Sequence, residues 1–117
     1  MSLRVLLVDD SKVSRLALTK SLRKIDESLQ ISEVNSADAA EQHLANENVD
    51  LMLIDFNMPE RDGLELAEVV TATYPHIKQT LVTANIQDAI RERAAEMGLA
   101  FIGKPVKPEE LANIIGG

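Results

Sequence analysis

The 117-residue chain has no cysteine, so neither a disulfide framework nor a thiolate zinc site can form. That absence suits a reducing cytoplasm, where the protein is expected to reside. Tryptophan is also missing, and aromatics make up only 3% of the residues, which leaves no platform for stacking bases. Basic charge is scarce: 12 Lys and Arg face 19 Asp and Glu, a net charge of −7 that argues against direct nucleic-acid binding. Long hydrophobic runs are lacking too. Val5–Val8 and Leu51–Ile54 are far too short to span a bilayer, so no membrane association is expected, and Met1-Ser2-Leu3-Arg4 carries no signal-peptide pattern. What is present suffices for a core. With 45% apolar residues the chain needs no staples, and its length fits one domain over residues 1–117, either alone or as part of a longer protein.

Five short apolar runs alternate with segments of helical period. The strands are expected near Arg4–Val8, Gln30–Val34, Asp50–Ile54, Gln79–Val82 and Ala100–Ile102. Three are almost wholly apolar, as strands covered on both faces of a parallel sheet must be. The more polar Ile31–Val34 run belongs at an edge. Between them, Leu18, Leu22 and Ile25 make one helical stripe, Ile86, Ala89, Ile90, Ala94 and Met97 a second, and Leu111, Ile114 and Ile115 a third. Ser36 and Asp62 are suited to cap helix N-termini, Gly98 to end a helix in the left-handed conformation, and Pro108 to sit in the first turn of the last helix. The pattern is (βα)₅. Right-handed crossovers then give an α/β doubly wound five-stranded parallel sheet in the order 2-1-3-4-5, a flavodoxin-like fold.

In such a sheet, ligands bind beyond the carboxyl ends of the strands, near the point where strand order reverses. At that rim the first strand delivers Asp9 and Asp10, the third Asp55, the fourth Thr83 and the fifth Lys104. The strands themselves carry almost no charge, so the clustering is informative. Neighbouring carboxylates resist ionising together unless a cation intervenes. All-oxygen ligands suit Mg²⁺ better than zinc or copper. A divalent cation and Lys104 together balance the three acids. A phosphoryl group on Asp55 would add roughly two negative charges, and Lys104, the Thr83 hydroxyl and loop N–H groups are available to receive its oxygens.

The segments Val8-Asp9-Asp10-Ser11, Leu53 to Pro59 with Asp62-Gly63, Val82-Thr83-Ala84 and Gly103-Lys104-Pro105 resemble, in order and spacing, the CheY-like receiver domains of two-component response regulators. The resemblance covers essentially the whole chain. It implies a phosphoacceptor at Asp55, metal ligation by Asp10, Asp55 and the backbone carbonyl of Asn57, with Asp9 ligating directly or holding a metal-bound water, a switch hydroxyl at Thr83, and a phosphate-pairing Lys104 followed by a cis bond to Pro105. Phe101 matches the aromatic that changes rotamer with the threonine. Here it lacks the hydroxyl of a tyrosine, so signalling would rest on ring burial alone. Asn57 and Asn85 flank the path of attacking water and would tune dephosphorylation. The implied partners are a sensor histidine kinase or phosphotransfer protein, and a downstream protein or fused output domain. These would be reached through the face formed by the fourth helix, fifth strand and fifth helix, which could also form a phosphorylation-linked homodimer.

Blander readings exist for each residue alone. Asp9 and Asp10 could be solvated acids at a helix entry, Thr83 a helix-entry residue, Lys104 a surface lysine, and Phe101, Met52 and Met58 packing. His43 and His76 have no metal-ligand spacing. A flavin module would need a Ser/Thr- and Gly-rich loop where Asp9-Asp10 stand. An aspartyl-phosphate phosphohydrolase would place its acids after the first strand, with a general acid where this chain has Asn57. A degenerate receiver would lack the acceptor, an acid or the lysine, and this chain keeps all of them.

Overall fold

Residues 3–116 are described by the computed structural model. Arg4–Val8 forms β1, and Val5 through Val8 are all buried, because helices cover both of its faces. It pairs on one side with β2 (Gln30–Val34) and on the other with β3 (Leu51–Ile54). Next come β4 (Lys78–Thr83) and β5 (Ala100–Gly103), so the parallel sheet runs 2-1-3-4-5 as expected. The polar β2, with Gln30 and Glu33 exposed and the rest half-buried, takes an edge, whereas every residue of β3 is buried.

Five helices connect and follow the strands: α1 (Lys12–Ile25), α2 (Ala37–Asn46), α3 (Gly63–Thr73), α4 (Asp88–Glu96) and α5 (Pro108–Gly116). Two apolar clusters lie on opposite faces of the sheet. Leu18 and Leu22 of α1 and Leu111 and Ile114 of α5 pack with Val5, Leu7, Leu51 and Leu53; on the other face Ala40, Leu64, Leu66, Val70 and Ile90 pack with Leu6, Val8, Met52 and Ile54. The alternation follows from the two-residue period of a strand.

Side-chain caps start the first three helices. Ser11 and Ser36 accept the N–H groups of Ser14 and Ala39. Asp62 and Glu65 form a reciprocal capping box. Gly98 closes α4 with a φ of 76°. Pro108 opens α5, where its missing N–H has no partner to lose.

The fourth helix corrects the sequence reading. Ile86 does not join its stripe: it lies in the loop before α4 and is 55% exposed, and Ala89 is exposed as well. The chain must leave the sheet at Thr83 and turn before it can coil, which delays the helix to Asp88. Ile90 and Ala94 keep the inward face, with Met97 packed against the core at the C-cap. Strand ends also shift by a residue. Asp50 falls just outside β3, although its N–H still donates to the Arg4 carbonyl (2.9 Å) and its carbonyl accepts from the Lys78 N–H (3.1 Å), while β4 gains Lys78 and Thr83 and β5 gains Gly103.

Candidate functional site

The sheet ladder continues one residue past three strands, and this sets the site. The N–H of Asp9 donates to the carbonyl of Val34 (3.2 Å), that of Asp55 to Val8 (2.9 Å), and that of Lys104 to Thr83 (2.9 Å). The backbones of these residues are therefore fixed by the sheet, although their side chains are polar. Register does the rest: Val8 faces Ile54 and Thr83 faces Gly103, so the residues that follow emerge at one edge.

Asp9, Asp10 and Asp55 each present a carboxylate oxygen within 4.8 Å of the others. Asp9 is 2% exposed and Asp55 9%, while Asp10 is open to solvent. Lys104 bridges the two buried acids, its Nζ 2.9 Å from Asp9 Oδ2 and 3.3 Å from Asp55 Oδ2. Burial opposes the charge on Asp9, yet hydrogen bonds from Lys104 and the Ser11 N–H prevail and hold its carboxyl below the usual range. For Lys104 burial also opposes charge, and the Asp9 hydrogen bond with the nearby Asp55 charge more than offsets it, so its ammonium is held above the ordinary lysine value.

The other oxygen of Asp55, Oδ1, is buried and has no hydrogen-bond partner among the described residues. A buried carboxylate oxygen left this way is costly unless something else satisfies it. Three clustered acids with one ammonium leave two negative charges uncompensated. An all-oxygen donor set of this charge, open to solvent on the Asp10 side, fits Mg²⁺ with its remaining waters.

Thr83 is fully buried at the end of β4, and its hydroxyl accepts the N–H of Asn85 (3.1 Å). Asn57 is exposed in the loop after Asp55. Phe101 is half-buried on β5 against the α3–α4 face of the core, and the Lys104–Pro105 peptide is cis. Asp9, Asp55 and Lys104 are brought into contact with Asp10 close by, whereas Thr83 reaches the same rim with its hydroxyl oxygen accepting from its own loop.

Sequence reasoning missed several supporting residues. Arg15 donates to the Asp9 carbonyl (2.6 Å) and to Glu33 (3.0 Å), tying α1 to β2 behind the acids. Arg61 anchors the loop after Asp55 to Asp38 (2.9 Å) and Glu41 of α2. Glu60 in that loop has a φ of 69°, a strained conformation for a residue with a Cβ. Ser11, a preferred capping residue just before the helix, was legible in principle. The arginine contacts were not, because they depend on side-chain reach between elements that only the fold brings together.

Residues 5–116 match the family described as response regulator receiver domain. Response regulator protein FleR of Pseudomonas aeruginosa is 32% identical over 98% of this chain, a stretch amounting to 24% of FleR. Response regulator GacA of Pseudomonas viridiflava is 34% identical over 97% of this chain and 52% of its own length. The chain thus spans about a quarter to a half of these curated relatives. The crystal structure of a CheY-like receiver domain protein from Methanospirillum hungatei superposes with a TM-score of 0.86 at 28% identity, covering 99% of this chain and 92% of that one. A response regulator receiver protein from Pseudomonas putida shares the fold, with a TM-score of 0.89 at 23% identity over 99% of this chain and 97% of that one.

Proposed function

Since the chain belongs to the response regulator receiver domain family, we propose that it is a phosphorylation-dependent switch that accepts a phosphoryl group on Asp55 at a Mg²⁺-binding acidic cluster. The observation that carries this reading is the unequal environment of the two Asp55 oxygens. Oδ2 lies beside the Lys104 ammonium, and Oδ1 is buried without a partner.

Asp9, Asp10, Asp55 and the backbone carbonyl of Asn57 are the ligands proposed for the cation. Mg²⁺, when bound, neutralises charge on the carboxylates and on the phosphoryl oxygens. The Asp55 carboxylate attacks phosphorus, the new O–P bond forming as the bond to the donor's leaving group breaks. The donor is a histidine kinase, a phosphotransfer protein or a small acyl phosphate. Lys104, already charged and held by Asp9 and Asp55, offers its third N–H to the incoming oxygens. The domain assists its own phosphorylation and hydrolysis but does not turn over an external metabolite. Asn57 and Asn85 border the water's approach and set how long the phosphorylated state lasts.

Thr83 supplies the switch. Its hydroxyl accepts the Asn85 N–H and keeps its own O–H to donate to a phosphoryl oxygen, so a turn of this side chain toward the phosphoryl group pulls on the loop leading to α4. Phe101, packed against the same cluster as Ile90 of α4, then moves inward. The phosphorylated protein thereby shifts between two arrangements of the face made by α4, β5 and α5, which a downstream protein, a fused output domain or a second receiver reads.

Intact-mass measurement after incubation with acetyl phosphate and Mg²⁺ tests the assignment. The wild-type protein should gain one phosphoryl group and Asp55→Asn none. A persistent gain in that variant would move the acceptor elsewhere.

A further inference from the structure

Arg91 of α4 lies over the ring of Phe101, its guanidinium carbon 4.6 Å from the ring centroid. This is well inside the range in which a cation is attracted to the negative face of an aromatic. From this contact we infer that Arg91 is a positioning residue for the switch, a latch that holds the Phe101 ring in its half-buried setting and must let go before the ring can turn inward. The inference rests on the switch role proposed for Phe101.

Three features make the latch specific to this chain. The first is that Phe101 has no hydroxyl, so no hydrogen bond can fix the ring in either setting, and the guanidinium supplies the directional contact that holds it. The second concerns charge. Among the described residues Arg91 has no carboxylate partner, whereas Arg93, half a turn on, reaches Glu68 at 3.4 Å. The third is the start of α4. Ser11, Ser36 and Asp62 cap the first three helices with their side chains, but Gln87 makes no such bond to α4. The helix carrying Arg91 is thus loosely tied at the end that leads from Thr83, and it can shift without breaking a cap.

An exposed cation–π contact biases a two-state equilibrium about two- to fivefold. Arg91 therefore lowers the share of inward rings in the unphosphorylated domain by about that factor. It sets the resting level of the signal without touching the phosphorylation chemistry.

Ring-labelled phenylalanine provides the readout, since the chain has only two, Phe56 and Phe101, and Phe56→Leu assigns the signals. In the wild type, acetyl phosphate with Mg²⁺ should move the Phe101 signal from a resting to a phosphorylated position. Arg91→Met keeps the side chain's length and removes its charge. Without phosphate it should move the signal along the same line, with the inward share about two- to fivefold higher. Arg91→Lys keeps the charge and should fall closer to the wild type. Both substitutions are at an exposed helical position and should leave the fold intact. If phosphorylation moves the ring but Arg91→Met leaves its resting position unchanged, the latch is refuted and the switch stands. If the phosphorylated wild type, verified by mass, shows no movement of Phe101, the switch reading falls and the latch with it.

Discussion

Lys104 stands closer to Asp9 than to the proposed acceptor: its Nζ is 2.9 Å from Asp9 Oδ2 and 3.3 Å from Asp55 Oδ2. The lysine is thus part of the resting architecture before any phosphoryl group arrives. Lys104→Met would leave the carboxylate of Asp9, 2% exposed, without its cation. Unfolding in urea with a chelator present should show a loss of about 1–3 kcal/mol, and added Mg²⁺ should restore part of it. A variant as stable as the wild type in chelator would mean the pair is not formed in solution.

Metal binding should stabilise the protein by mass action. At a hundredfold excess over Kd, Mg²⁺ should add about 2.7 kcal/mol to the wild type. Asp10 is exposed and lacks the lysine contact, so Asp10→Asn should fold normally yet lose most of this gain. Thermal scans with and without Mg²⁺ measure both.

The Arg4–Asp50 pair predicts an acid-side effect remote from the site. Hydrogen bonds from the Arg4 side chain (3.2 Å) and backbone N–H (2.8 Å) hold the Asp50 carboxyl below its ordinary 3.8. Its folded pKa therefore lies below the unfolded one, so the stabilisation is complete above that ordinary value and is lost as pH falls through the folded pKa. Asp50→Asn should cost a few tenths of a kcal/mol, up to about 1, at neutral pH, because the pair is partly exposed. The gap to the wild type should close in acid. A constant gap across the titration would exclude this linkage.

Two glycine substitutions separate stability from chemistry. A Cβ on Gly63 would fall 2.2 Å from the carbonyl oxygen of Asp55, so the first turn of α3 seats against the acceptor only because Gly63 has no side chain. Gly63→Ala should lose about 1–3 kcal/mol and slow phosphorylation by acetyl phosphate, since either the helix or Asp55 must move. Gly98→Ala meets no atom within 4 Å but must adopt a φ of 76°, at a cost of about 1–2 kcal/mol. It should keep a normal phosphorylation rate in the folded fraction. Equal rates in the two variants would show that Gly63 does not position the acceptor.

Strand order, caps and the rim cluster were legible because they follow from local rules. Buried parallel strands read as apolar runs, and an acid at the end of a run as apolar as Leu51–Ile54 stands out. Ile86 misled for an equally local reason. It continues the helical period of Ile90 and Ala94, but period alone does not register that the chain must first turn away from Thr83. The contacts of Arg15, Arg61 and Arg91 join elements 18 or fewer, 23 or fewer and 10 positions apart, and they depend on side-chain reach that no spacing rule specifies. The bridging of Asp9 by Lys104, across 95 positions, needed the assembled sheet.

Leu51 through Ile54, with neighbours on either side and helices above and below, should be among the last amides in the molecule to exchange with deuterium. The proposed acceptor hangs from the end of that slowest segment, whereas Phe101 and Arg91 lie at the periphery. Repeated loading and unloading can then proceed on a stationary foundation, with conformational work confined to parts that reopen cheaply and no excursion toward the unfolded chain.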